Sequence, residues 1–202
     1  MNNEFMNRKD KIISAAIQLI DESGLSSLTF QNLAIKFNMP KEMLYRYYGS
    51  TDEILEEIVD VFTNQDAIIF AKVEAMDIPH VKKVNEFFKL AYNTYQRHGN
   101  FLILPMNFEE LIHNVHTRDI LVHSIKARIN FIKKEFEAAM NDKEITDVLL
   151  TPEELTDIYY GVLWEKILNH RIWEKDVDFT MEKNTVFEKI IDVLKIAQSN
   201  PE

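Results

Sequence analysis

In "KEMLYRYYGS", residues 41 to 50, Tyr45, Arg46, Tyr47 and Tyr48 follow one another at the end of a short segment. Three phenols and a guanidinium so placed suit anion contact, since the hydroxyls and the planar fork of donors can hydrogen-bond phosphate oxygens. Lys41 and Glu42 just upstream add a cation and a carboxylate. A carboxylate there can accept from a cytosine amino group, and it can equally serve to repel a wrong contact. A second candidate lies in "EELIHNVH", where Glu110 and His113 stand at the i, i+3 spacing of bundle di-iron sites. Such a site needs that pair twice, and none of His80, His98, His116, His123 and His170 has a Glu three residues before it. Packed or solvated histidines are the simpler reading, and no metal or other cofactor is expected.

The elements that must position these residues follow from periodicity and breakers. Only four glycines and five prolines punctuate 202 residues, which favours long helices over a meander of short strands. "DKIISAAIQLIDESG" places Ile12, Ile13, Ala16, Ile17 and Ile20 on one helical face and stops at Gly24. Ser27 or Thr29 can cap a second helix that carries Phe30, Leu33, Ala34 and Phe37. Asn38 follows where the chain must turn, and Asn tolerates the left-handed conformation better than most residues. Pro40 suits the first turn of a third, short helix over about 40–47. Ser50 caps a fourth, with Asp52 and Glu53 complementing its dipole.

Further helices are expected over 81–99, 100–114 (interrupted at Pro105), 117–140, 154–175 and 181–198. Thr151-Pro152-Glu153-Glu154 is a strong start signal for the penultimate one. The expected fold is all-α, with about nine helices and no strand. Two domains are expected, a three-helix head over 6–66 and a larger helical domain over 67–202.

Composition bounds the function. Hydrophobic residues at 46% exclude a disordered chain, and the absence of cysteine excludes disulfides, thiolate metal sites and a cysteine nucleophile. No apolar run approaches the roughly 18 to 20 residues of a membrane span. "MNNEFMNRKDK" has no apolar signal core. A cytoplasmic protein without a membrane partner is therefore expected. The chain has no Gly-rich phosphate loop, no G-x-S-x-G elbow and no H-E-x-x-H, so an enzyme is not expected. A net charge of −10 argues against coating nucleic acid through bulk charge, yet residues 8 to 51 carry six cations against four carboxylates.

Three helices in the first 48 residues, the last two joined by a tight turn, describe a helix-turn-helix unit whose third helix enters the DNA major groove. "TFQNLAIKFNMPKEMLYRYYGSTDEIL", with "IISAAIQLIDESGLSSLTF" overlapping its start, resembles the signature of the tetracycline-repressor (TetR) family of bacterial regulators. The likeness covers about residues 8 to 62: Thr29 opening helix two, Ala34 in its middle, Leu44-Tyr45-Arg46-Tyr47-Tyr48 ending helix three, and Ser50-Thr51 opening helix four. Asn38 replaces the family's usual Gly, Pro40 a Ser, and Tyr48 a Phe. Thr51 stands where members place a lysine, which removes one phosphate contact.

The resemblance implies phosphate contacts from Thr29, Tyr45 and Tyr47. It implies base-edge or backbone contacts from Lys41, Glu42 and Arg46. Tyr48 and Leu44 read as core. It also implies a regulator, in the usual case a repressor, that binds a palindromic double-stranded operator as a homodimer through 154–198 and is released by a small hydrophobic or amphipathic effector. Tyr159, Tyr160, Val162, Leu163, Trp164, Ile167, Ile172 and Trp173 go nearly around their helix, which fits either a copy–copy surface or a doubly buried core helix. For the effector site, Tyr92, Tyr95, Met106, His113, Phe131 and Trp164 are the candidates, each of them also explicable as plain core. A second function stands beside the first: a helical ligand-binding or interaction protein of the same fold whose DNA-reading head has weakened.

Overall fold

The computed structural model describes residues 8–98, 103–173 and 186–199, with the side chains of 95–98, 170–171, 173 and 196–199 excepted. Among the described residues there are ten α-helices and no strand. The helices are α1 (Arg8–Ser23), α2 (Phe30–Phe37), α3 (Lys41–Leu44), α4 (Thr51–Glu74), α5 (His80–His98), α6 (Ile103–Met106), α7 (Phe108–His113), α8 (Arg118–Asn141), α9 (Pro152–Trp173) and α10 (Val186–Ser199). A 3-10 turn at Leu25–Ser27 links the first two. The tenth helix arises where sequence periodicity predicts one interrupted helix over 100–114. Asn107, at φ −113° and ψ 23°, leaves the helical region and divides α6 from α7. Residues 181–185, expected to open the last helix, lie outside the described residues.

The chain divides into two compact units. The first comprises Met1–Gln65 with Asn93–Ser124, and the second Asp66–Tyr92 with Ile125–Glu202. In the first, Ile12 and Ala16 of α1, Leu33 of α2, Leu44 of α3, and Ile54 and Ile58 of α4 are wholly buried, which makes one small apolar centre to which four helices contribute. The link between α7 and α8 is held to α4 by polar contacts: Asn114 donates to Asp52 (2.8 Å), and His116 Nδ1 lies 3.4 Å from Glu56.

The second unit has an aromatic interior. Phe70 stacks on Phe87 (5.0 Å between centroids) and on Phe131 (4.8 Å), while Tyr159 meets Phe187 edge-on at 4.7 Å. The unit also holds a part-buried ion pair: Arg128 donates to both Asp66 oxygens, at 2.7 and 3.3 Å. His80, at the start of α5, stands 2.7 Å from Glu135 and 3.3 Å from Asp142, and Glu144 accepts from the backbone N–H of His80 and Val81. α9 opens on a capping box: Thr151 accepts from the Glu154 N–H, and Glu154 accepts from that of Thr151.

Candidate nucleic-acid interface

Local rules build the head around α2 and α3. Thr29, extended at φ −131°, caps α2 by accepting from the Asn32 N–H at 3.1 Å. That bond uses a lone pair of the hydroxyl and leaves its proton for an outside acceptor. α2 ends at Asn38, in the left-handed region at φ 50° and ψ 49°. The N–H of Asn38 bonds Ile35 O and that of Met39 bonds Ala34 O, a Schellman-type closure with Asn in the place glycine usually takes. Pro40 precedes rather than opens α3, and a full helix holds for only four residues. The chain then continues through single-turn bonds, with Tyr47 and Tyr48 both donating to Leu44 O.

This short element has an inner and an outer side. Leu44 and Tyr48 are buried, whereas Glu42, Tyr45 and Arg46 are exposed and Lys41 and Tyr47 half-buried. The Tyr45 ring meets Phe30 edge-on at 4.4 Å, and Lys41 Nζ sits 5.7 Å from the same ring. Phe30 directly follows Thr29, so Thr29, Lys41 and Tyr45 form one patch across the ends of two helices. Arg46 lies beside Met43, its Nη1 3.8 Å from the sulfur. Among the described residues neither Lys41 nor Arg46 is paired with a carboxylate, and both keep their donors for an anion.

Tyr48 fixes this patch to the rest of the unit. Its hydroxyl donates to Glu57 Oε2 at 2.8 Å, Lys9 stands 3.6 Å from the same oxygen, and Lys9 also lies 4.9 Å above the Tyr48 ring. Burial first, and the bond to Glu57 second, hold the phenol ionisation far above its ordinary range. At the next corner Ser50 accepts from the Glu53 N–H, and Glu53 in turn accepts from that of Gly49. Two cations of the basic head are engaged by carboxylates, Lys36 with Glu22 at 2.7 Å and Lys9 as above. The cationic surface is thus narrower than the sequence tally.

The effector candidates are divided between the two units. Met106 and His113 belong to the first unit, and His113 is exposed with its Nε2 3.0 Å from Glu109 rather than Glu110. Tyr92, Phe131 and Trp164 belong to the second, where Tyr92 is half-buried, Phe131 is buried in the aromatic stack and Trp164 is exposed. The side chain of Tyr95 lies outside the described residues. Sequence reasoning missed the Asp66–Arg128 pair and the buried hydroxyls of Tyr159 and Tyr160, neither of which has a hydrogen-bond partner. Desolvation raises the ionisation of both phenols well above the usual range. Asp66, a lone carboxylate between Phe62 and Phe70 on α4, was the available signal, because a charge on an apolar face requires a partner.

Residues 12–58 match the sequence model of a family described as "Bacterial regulatory proteins, tetR family". No curated protein sequence matches the chain. Among solved structures, the ketosteroid transcriptional regulator KstR2 of Mycobacterium tuberculosis is similar with TM-score 0.73 at 10% identity, over 96% of each chain. The TetR family transcriptional regulator PfmR of Thermus thermophilus gives 0.66 at 15%, over 95% of this chain and 99% of that one. A Clostridium perfringens protein, provisionally described as a fatty acid metabolism regulator, gives 0.63 at 21%, over 93% and 95%. Among the described residues no helix is long and apolar enough to cross a membrane.

Proposed function

From the tetR-family domain at residues 12–58 and the fold of that family's regulators along the chain, we propose that this protein is a sequence-specific DNA-binding repressor. It binds a two-fold symmetric operator as a homodimer and is released by a small hydrophobic or amphipathic effector. The observation that carries the reading is the patch of Thr29, Lys41, Tyr45 and Arg46, with exposed donors on a base locked by Leu44 and Tyr48. In the complex Lys41, Glu42 and Arg46 lie at base edges or backbone, while Thr29, Tyr45 and Tyr47 hold phosphates. One such head reads few base pairs, so specificity calls for two on one frame.

The surface for that frame is on the last two helices. Trp164, Leu168 and Ile172 form an exposed apolar line on α9 at i, i+4 and i+8, and Val186 and Val193 are exposed on α10. The effector reading rests on the second unit's aromatic interior, where the unpartnered Tyr159 and Tyr160 hydroxyls suit a polar end of an otherwise apolar ligand. A second reading, a ligand-binding protein with a weakened head, is favoured by one observation: Lys9 and Lys36 are held by carboxylates and Thr51 offers no ammonium.

Selection of bound duplexes from a random pool, followed by affinity at several salt concentrations, separates the two. Enrichment of a palindrome with a steep salt slope is the expected outcome. A folded, dimeric protein that enriches no sequence would overturn the repressor reading in favour of the second.

A further inference from the structure

Among the described residues from 8 to 57, Glu42 is the one carboxylate without a partner. Glu22 takes Lys36, Asp52 accepts from Asn114, Glu53 from the Gly49 N–H and Glu57 from Tyr48, while Glu56 faces His116. Asp10 and Asp21 are engaged as well. Glu42 is exposed, and its neighbours in sequence include the cations Lys41 and Arg46. A glutamate four residues before an arginine is a favoured pair on a helix. That pair does not form here: α3 is helical only over Lys41–Leu44, and Arg46 falls beyond it with its Nη1 beside the Met43 sulfur. Lys41 Nζ in turn sits over the Tyr45 ring. The carboxylate is thus left open in the first turn of the helix that enters the groove, where side chains meet base edges.

The major groove offers a carboxylate few targets. Guanine shows two acceptors there, and thymine an acceptor and a methyl group, so neither can donate to it. Adenine gives an amino donor flanked by the N7 acceptor, which opposes a negative charge. Cytosine gives an amino donor with no acceptor beside it. The guanine paired with that cytosine shows O6 and N7, which suit the ammonium of Lys41 or the guanidinium of Arg46. One C·G pair therefore meets the open carboxylate and a neighbouring cation together.

We propose that Glu42 is a specificity-determining residue of the head, accepting from the groove-facing N4 hydrogen of a cytosine and so fixing one C·G pair in each operator half-site. The inference rests on the DNA-binding reading above and names the base that its helix selects. The carboxylate contributes discrimination more than affinity, because the phosphates on either side of the groove repel it.

The test compares wild type, Glu42→Ala and Glu42→Gln by selection of duplexes from a random pool, then by affinity for the wild-type site. Glu42 is exposed, and a circular dichroism melt checks the fold of each variant. Wild type should enrich one cytosine per half-site, at which thymine or guanine weakens binding about tenfold or more. Glu42→Ala should enrich the same palindrome with that single position relaxed. Glu42→Gln should move the preference there towards adenine, whose N6 and N7 an amide reads together. N4-methylcytosine at that position keeps the pair with guanine and replaces the groove-facing hydrogen by a methyl group. It should weaken wild type about tenfold and leave Glu42→Ala unaffected. Equal discrimination by wild type and Glu42→Ala at every position, a base other than cytosine at the position that relaxes, or a wild type indifferent to N4-methylcytosine would each overturn the proposal. Glu42→Ala binding every duplex more tightly by one factor, with no position relaxed, would assign the carboxylate to repulsion and overturn it too. All of these outcomes leave the palindrome and the DNA-binding reading standing. A wild type that enriches nothing removes that reading, and this inference with it.

Discussion

Tyr48→Phe isolates a single hydroxyl, because the phenylalanine ring fills the same buried space. The hydroxyl donates to Glu57 Oε2 at 2.8 Å, and Glu57 is also 3.6 Å from Lys9. A hydrogen bond to a charged group contributes about 1.5–3 kcal/mol net. The Glu57 side chain is 34% exposed, so water recovers part of that in the variant, and a loss of about 1–1.5 kcal/mol is expected. For a chain of this length that lowers the melting temperature by roughly 2–6 °C. A thermal melt of the wild type, Tyr48→Phe, Glu57→Gln and the double variant closes the cycle, with a coupling of about 1 kcal/mol expected. The alkaline limb gives an independent check. The folded phenol ionises above its ordinary value of 10.0, so its stabilisation is complete below that pH and declines as pH rises beyond it. Wild type should lose stability above pH 10 more steeply than Tyr48→Phe. A variant that melts at or above the wild type, or parallel alkaline limbs, would refute the reasoning.

Lys41→Ala should weaken operator binding and reduce the salt slope by about one unit per protomer, read from binding isotherms at four salt concentrations. Asn38→Gly should leave stability unchanged or raise it, because φ 50° is free of strain for glycine, whereas Asn38→Val should cost about 1–2 kcal/mol in denaturant unfolding. Leu168→Glu, at the middle of the exposed line on α9, should shift the proposed dimer to monomer in sedimentation velocity and abolish cooperative operator binding.

How much was legible depended on the separation between partners. The Thr29 cap, the left-handed Asn38, the Ser50 cap and the Thr151–Glu154 box were readable because each bond closes within a few residues, where residue type alone decides geometry. Pairings across the chain were not readable. Lys36 was tallied with the basic head, yet Glu22, fourteen positions away, takes its ammonium. Asp66 finds Arg128 across 62 positions, and no local pattern on either helix names the other. The same limit applies to the effector candidates. Periodicity identified the apolar face holding Phe131 but not its neighbours, Phe70 and Phe87, which fill the space around it. In the candidate interface, Lys41 and Tyr45 were identified as residues, but the edge-on contact of Tyr45 with Phe30 came from packing between helices.

α9 carries the last step. Leu155, Tyr159, Leu163 and Ile167 are buried at four-residue spacing, while Trp164, Leu168 and Ile172 are 40%, 48% and 63% exposed on a second line. Two apolar lines explain why this helix reads apolar nearly all round, and only the first of them is satisfied within the chain. Full burial of each such side chain contributes about 1.5–3 kcal/mol, so three half-exposed ones on each of two copies supply roughly 5–9 kcal/mol. Association itself costs about 4–15 kcal/mol in lost freedom. The α9 line alone therefore leaves a weak or absent dimer, and Val186 and Val193 of α10 must contribute for one that persists at cellular concentrations. With so narrow a margin, a buried carboxylate at Leu168 suffices to reverse the sign. In the proposed dimer, a ligand that repositions α10 would act on the proposed operator binding through the equilibrium between copies, without touching the reading head.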